Sequence, residues 1–251
     1  AGAKYKIVDS AKPSKNDVVI GEAFPKAGED GFRIATGDNI LRIQNGGQKG
    51  AIYGVVTLLE QYLGVNYYGF EEYDIPSMSS ISLPDIDKTE TPAFRYRQTQ
   101  SYCSDDPIYK LWYRLEQPNE VFISNLWVHT LNRILPAQRF GKNHPEFYSF
   151  INGERRPGSN SQWCLTNPQL FDAVCTQLDS IFAANPGKNL ISISQNDGND
   201  TYCSCPECMK VYEIEGAHSG NFIRFLNKLA TKYPDKEFST LAYLFTMHAP
   251  K

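Results

Sequence analysis

Leu190-Ile191-Ser192-Ile193-Ser194-Gln195-Asn196-Asp197-Gly198, followed at once by Cys203-x-Cys205-x-x-Cys208, is the stretch whose reading decides the fold. Apolar residues alternate with small polar ones and then give way to Gln-Asn-Asp-Gly, the pattern of a strand ending in a polar turn. In parallel α/β folds chemistry is placed at that end of a strand. The three cysteines just beyond would pin the turn through a metal or a disulfide. The alternative is an ordinary Asp-Gly turn beside structural cysteines, since Asp-Gly is a common turn signal.

The segments on either side continue an alternating grammar. Phe94-Arg95-Tyr96-Arg97, Val121 to Val128, Gln162-Trp163-Cys164-Leu165, Leu190 to Ser194 and Phe238 to Phe245 read as strands. Helices are expected from Asp106 to Leu115, from Pro168 to Ala183 and from Ser219 to Tyr233, the last two with apolar residues at helical spacing. Strands alternating with helices point to a parallel β/α domain. A closed eight-stranded barrel needs about 250 residues, more than follow the Ser-, Pro- and Asp-rich segment Pro76 to Pro92, which is the best domain boundary. The sheet is therefore open, or the chain is part of a longer protein.

Before that boundary, Tyr5 to Val8, Asp17 to Gly21, Gly31 to Ala35 and Asn39 to Ile43 read as β structure, with Asp38-Asn39 a hairpin turn. From Gln48 to Leu63 the period changes: Ile52, Val55, Leu59, Tyr62 and Leu63 share a helix face, and Gly64 stands where a C-terminal cap belongs. Gly46-Gly47 is no phosphate loop, because no Gly-Lys-Ser/Thr follows it. The fold class is α/β: a small α+β domain over residues 1–88, a sheet with a packed helix, followed over 89–251 by the first part of a (β/α)8 TIM-type barrel.

Of the 251 residues 41% are hydrophobic and 21% charged, and the net charge is −3. With no basic stripe and no nucleic-acid motif, DNA and RNA are not expected as partners. No apolar run of about eighteen residues exists, so no transmembrane segment is expected, and no signal sequence opens the chain. The 15 Tyr and 14 Phe suit rings that stack on sugars as well as rings that fill a core.

The strand ends gather Arg97, Gln98 and Gln100, then His129, then Cys164, Thr166 and Asn167, then Gln195, Asn196 and Asp197. A rim with a carboxylate, an imidazole and a guanidinium suits hydrolysis of a polar substrate. Taken singly, His129 is equally a strand cap and Arg97 equally the partner of a neighbouring acid. Trp127, Trp163 and Tyr202 would enclose the rim. Cys164, at the end of the third expected strand, should face Cys203, Cys205 and Cys208, because consecutive strands are neighbours. Four thiolates would hold a structural zinc, and an exported protein would more often oxidise them to disulfides. Cys103 and Cys175 are expected to be free or structural.

The run Ile40-x-x-Ile43 through Gly50-Ala51-Ile52-Tyr53-Gly54-Val55-x-Thr57-Leu58-Leu59-Glu60 resembles the small accessory domain that precedes the barrel of β-hexosaminidases and α-glucuronidases. The rest is similar to an uncharacterised glycosidase-like family of DUF4838 type, often from gut Bacteroidetes. The similarity runs through Trp127-Val128-His129-Thr130, His144-Pro145-Glu146-Phe147-Tyr148, Asn152-Gly153-Glu154-Arg155, Cys164-Leu165-Thr166-Asn167-Pro168, Asn196-Asp197-Gly198 with its cysteines, and Ser219-Gly220-Asn221.

The resemblance implies a periplasmic, cell-surface or secreted glycoside hydrolase that needs no cofactor for catalysis and has trimmed ends here. Asp197 would be general acid or base with Glu146 as partner, Asn196 and His129 would orient substrate hydroxyls, and Arg97 would hold a polar or acidic sugar group. Hexosaminidases that use the substrate's own N-acetyl group carry Asp-Glu where this chain has Asn196-Asp197, so one carboxylate is an amide here. The rival readings are a non-catalytic carbohydrate-binding protein and a structural module braced by its cysteines.

Overall fold

Asp38 and Asn39 both adopt left-handed backbone, at φ 55° and 58°, the conformation that a two-residue hairpin turn demands. They join strand β2, Phe32–Gly37, to strand β3, Ile40–Asn45, antiparallel from Gly37 against Ile40 to Phe32 against Asn45. In this computed structural model residues 6–9, 12–198 and 201–251 are described, and the chain divides into two units, Ala1–Glu116 and Gln117–Lys251.

In the N-terminal unit β1, Val18–Ala23, lies parallel to β3. After helix α1, Gly50–Leu63, and the small hairpin of β4, Asn66–Gly69, with β5, Glu72–Asp74, strand β6, Asp87–Glu90, pairs antiparallel with β2. The sheet order is β1-β3-β2-β6. Phe32, Ile34, Leu41 and Ile43 from the sheet, Tyr53 and Leu58 from α1, and Ile86 form its core. Each such side chain fully buried contributes on the order of 1.5–3 kcal/mol.

The face of α1 turned to the sheet is set by Gly54, where a Cβ would stand 2.5 Å from the Ile43 side chain. That close approach buries Tyr53, Gly54, Thr57 and Leu58, while Ile52 points to solvent. Of the expected face, Val55 and Tyr62 pack against this core and Leu59 against Val56, Tyr67 and Trp112, and Ile52 alone is exposed. The helix ends at Gly64, φ 66°, whose N–H reaches the carbonyl of Leu59, as its position beyond the last apolar residue predicts.

Two expected strands here are corrected. Lys6 to Val8 form no strand, and Ile7 is exposed; Tyr5 lies outside the described residues. Phe94–Arg97 is irregular, because the Arg97 side chain is drawn to Asp30 and Glu116 and its N–H groups to the carbonyls of Phe94 and Arg114. Residues 89–116, assigned from sequence to the second domain, belong by compactness to this unit. They include helix α2, Pro107–Trp112, capped by Asp106.

In the C-terminal unit three short helices, α3 Pro118–Val121, α4 Leu131–Ile134 and α5 Ala137–Phe140, precede the hairpin of β7, Phe150–Ile151, and β8, Glu154–Arg155. Helix α6, Pro168–Ala183, starts as its sequence predicts, with the Asn167 side chain accepting from the Leu170 N–H and Pro168 in the first turn. Strand β9, Leu190–Ser192, follows, then α7, Pro206–Glu215, α8, Ser219–Lys232, and β10, Glu237–Ser239.

Strands β9 and β10 are parallel. On the other side Phe122 pairs parallel with Leu190, and the N–H of Ser192 reaches the carbonyl of Leu126 at 2.9 Å. Leu170, Val174 and Leu178 of α6, Ile191 and Ile193 at β9, and Phe222, Phe225 and Leu229 of α8 form one core.

The parallel β/α arrangement is thus present around β9, but no closed barrel is found among the described residues, and the expectation of a partial TIM barrel is reduced to a mixed α/β unit with small sheets. The reasons are local. Ser124, Asn125 and His129 have φ of 49°, 56° and 49°, which no strand tolerates, so Val121 to Val128 contributes one bridge only. Gln162 to Leu165 turns away from β9: Trp163 pairs antiparallel with Tyr148, and the Cys164 N–H bonds to the Phe147 carbonyl at 2.8 Å. The last expected strand stops at Ser239 and gives way to a 3-10 turn at Leu244–Thr246.

Candidate active site beside a buried cysteine cluster

The polar tip of β9 is held by an amide. Gln162 accepts from the Asn196 N–H at 2.9 Å and donates to the Asn196 carbonyl at 2.9 Å, imitating a strand neighbour with its side chain. The same amide nitrogen reaches the Thr201 hydroxyl at 3.0 Å. The Asn196 side chain is equally committed: Oδ1 accepts from the N–H of Asn132 at 3.1 Å and Nδ2 donates to the carbonyl of Ser161 at 2.7 Å. Buried and bonded at both ends of its amide, Asn196 fixes the tip.

With Asn196 anchored, Asp197 emerges into solvent. Its Oδ1 accepts from the Tyr243 hydroxyl at 3.2 Å, and the carboxylate charge, then that hydrogen bond, push the Tyr243 phenol upward. Tyr243 is held in turn by the Leu244–Thr246 turn: its N–H reaches the Thr246 hydroxyl at 3.2 Å, and that hydroxyl donates to the Gln195 side chain. The His129 ring lies edge-on to Tyr243, centroids 5.8 Å apart, and His129 Nδ1 is 2.8 Å from the Gln195 carbonyl. Facing a carbonyl oxygen, Nδ1 is the ring nitrogen that donates. His129 keeps a left-handed backbone that a non-glycine residue adopts at a cost of about 1–3 kcal/mol.

The structure thus brings together Asp197, Asn196 and His129. The other candidates have partners of their own. Trp163, 2% exposed, is a core side chain against Phe225 and offers no face to a ligand. Tyr202 stacks on His218 at 4.0 Å and Trp127 is half-buried, while Asp197 is exposed, so the described residues do not enclose it in the dry rim expected. The Glu146 carboxylate meets His144 Nδ1 at 3.1 Å. Arg97 belongs to the N-terminal unit, where Asp30 at 3.0 Å and Glu116 at 2.6 Å hold its guanidinium. Sequence reasoning missed Tyr243 and Gln162, one inside an expected strand and the other a long-range clamp with no local pattern.

Directly behind the tip lie four buried cysteines. Cys164, Cys203, Cys205 and Cys208 place their sulfurs within 4.8 Å of one another, with Cys164 Sγ 3.6 Å from that of Cys205 and 4.0 Å from that of Cys208. All four are free thiols. Cys205 stands at the N-terminal flank of α7 without a side-chain capping bond and Pro206 opens the helix, which puts Cys208 in the first turn. The neighbouring sulfurs of Cys203, then Cys208, hold the Cys164 thiol well below its usual range. The same contact pushes Cys203 up to about 12, and Cys208 is raised too.

A family model described as a domain of unknown function (DUF4838) matches residues 67–251. Among solved structures the chain is similar to one described as the crystal structure of a beta-N-acetylhexosaminidase, at 14% identity and a TM-score of 0.42, with 91% of this chain covered. The aligned region spans 62% of that structure's length. No curated protein matches the chain.

Proposed function

The chain belongs to the family described as a domain of unknown function (DUF4838), and for it we propose a glycoside hydrolase-like function in which Asp197 exchanges the proton with the glycosidic oxygen. One observation carries the reading: a solvent-facing carboxylate at the C-terminal end of a parallel strand, held by the Tyr243 hydroxyl at 3.2 Å and backed by Asn196, whose buried amide is bonded through both its oxygen and its nitrogen. A carboxyl group in such a place can protonate a leaving oxygen and later deprotonate water.

In this reading Tyr243 holds the Asp197 carboxylate in one rotamer, and His129, with Nδ1 committed to the Gln195 carbonyl, accepts from a sugar hydroxyl through Nε2. Asn196 is a positioning residue. Glycoside hydrolysis ordinarily takes two carboxyl groups, and Glu146 is the proposed partner. Its hydrogen bond to His144 does not join it to Asp197, so Glu146→Gln must be assayed separately. The substrate is a carbohydrate, and no helix among the described residues is long and apolar enough to cross a membrane.

The test is a screen of the intact protein against aryl glycosides and host glycans, with binding measured alongside. Hydrolysis of one sugar class supports the reading. Binding without hydrolysis of any panel member overturns it in favour of a carbohydrate-binding protein.

A further inference from the structure

We infer that Cys164, Cys203, Cys205 and Cys208 bind one zinc ion as a closed structural site. A zinc ion with four thiolates at about 2.3 Å requires sulfurs about 3.8 Å apart. The two separations from Cys164, 3.6 and 4.0 Å, lie on either side of that edge, and no pair of the four exceeds 4.8 Å. Cys164 is near two partners at once, which is the arrangement of a tetrahedron and not of two disulfide pairs, in which each sulfur belongs to one other. The set is closed, with four sulfurs and no open position for substrate, so the ion's role is structural.

The surroundings are built for thiolates. The Phe150 N–H points at Cys203 Sγ from 3.3 Å and Arg155 Nη1 from 3.6 Å, while the Thr166 hydroxyl lies 3.2 Å from Cys208 Sγ. Cys205 and Cys208 sit at the positive end of α7, and the Cys205 side chain makes no capping bond. Four thiolates around a dication leave a net charge of −2, which these donors and the Arg155 guanidinium offset. On binding, each thiol releases its proton and each sulfur gives an electron pair to the metal, with no change of oxidation state.

The ion would fasten two segments that already meet at Gln162. Cys164 follows Gln162 by two residues, and Cys203 follows Thr201, the second partner of the Gln162 amide. Zinc there secures the loop that leaves Asp197.

The experiment is metal analysis of the intact protein purified without chelator, with mass spectrometry of alkylated peptides. One zinc per chain and no disulfide among the four cysteines is the expected result. Cys208→Ser should lose the zinc. Because that variant can misfold, the wild-type protein is also stripped by chelator and reloaded: the melting temperature should fall, return with zinc, and not return with magnesium. Cobalt loading should give the intense visible bands of a tetrahedral tetrathiolate. A disulfide between any two of the four, iron in place of zinc, or a melting temperature indifferent to zinc overturns the proposal.

Discussion

The Tyr243 hydroxyl stands 3.2 Å from the Asp197 carboxylate, and through it the turn after β10 reaches the tip of β9. Tyr243→Phe removes that donor and keeps the ring beside His129. A hydrogen bond to a charged group is worth about 1.5–3 kcal/mol, so turnover of a glycoside substrate should fall by roughly tenfold or more. An unchanged kcat would mean that the contact positions nothing.

Asn196→Asp places a second carboxylate beside Asp197, and the structure predicts loss and not gain. The Nδ2 donor to the Ser161 carbonyl at 2.7 Å would become an oxygen facing an oxygen in a site only 4% exposed. An unsatisfied buried acceptor costs about 1–3 kcal/mol, more where it is charged. Thermal denaturation should show a lower melting temperature with no rise in activity. A variant as stable as wild type and more active would contradict the structural role.

Arg97 is expected to act on stability alone. Its guanidinium joins Asp30 and Glu116, whose side chains are 14% and 7% exposed, and Lys49 also reaches Glu116 at 2.8 Å. Breaking a buried pair by deleting one partner costs about 3–5 kcal/mol. Arg97→Ala should lower the denaturation midpoint of the N-terminal unit strongly while the folded fraction keeps the wild-type KM. A raised KM at unchanged stability would return Arg97 to the substrate site.

Acid should unfold the N-terminal unit through Asp106. Burial alone would raise its carboxyl, but donation from the Tyr67 hydroxyl and from the N–H groups of Phe70, Tyr109 and Ile108 outweighs burial, and the net direction is down. A carboxyl with a lowered folded value contributes stability that is present above the unfolded value of about 3.9. That stability is lost as pH falls through the folded value. Melting temperature should therefore drop below about pH 4, and Asp106→Asn should be less stable at neutral pH with a flatter acid limb. An acid limb as steep in the variant as in wild type would rule Asp106 out.

What the sequence disclosed follows from the range of the interactions involved. The Asp38-Asn39 hairpin, the Gly64 cap, the Asn167-Pro168 helix start and the strand at Leu190 are set by near neighbours, and their signals are local. The facing of Cys164 toward the other three was also legible, although through a different pairing: Trp163 joins Tyr148 and not β9. Illegible features depend on distant partners. The left-handed residues at Ser124, Asn125 and His129 have no glycine to announce them. The centre of the α1 face was missed because Gly54 counts as a gap in an apolar pattern, whereas in the fold it is the point of closest approach. Trp163 reads as a sugar platform only until its core neighbours are known.

The central claim is tested most directly by Asp197→Asn, assayed in the intact protein on whichever glycoside the wild type hydrolyses. The amide keeps the size and can still bond Tyr243, but has no proton to give. Loss of acid–base catalysis is worth about 10²–10⁴ in rate, so kcat should fall by at least about a hundredfold on substrates with poor leaving groups and by less on activated aryl glycosides, with the melting temperature unchanged. Turnover within about threefold of wild type on both substrate classes, well short of that range, would show that Asp197 is not the acid–base group.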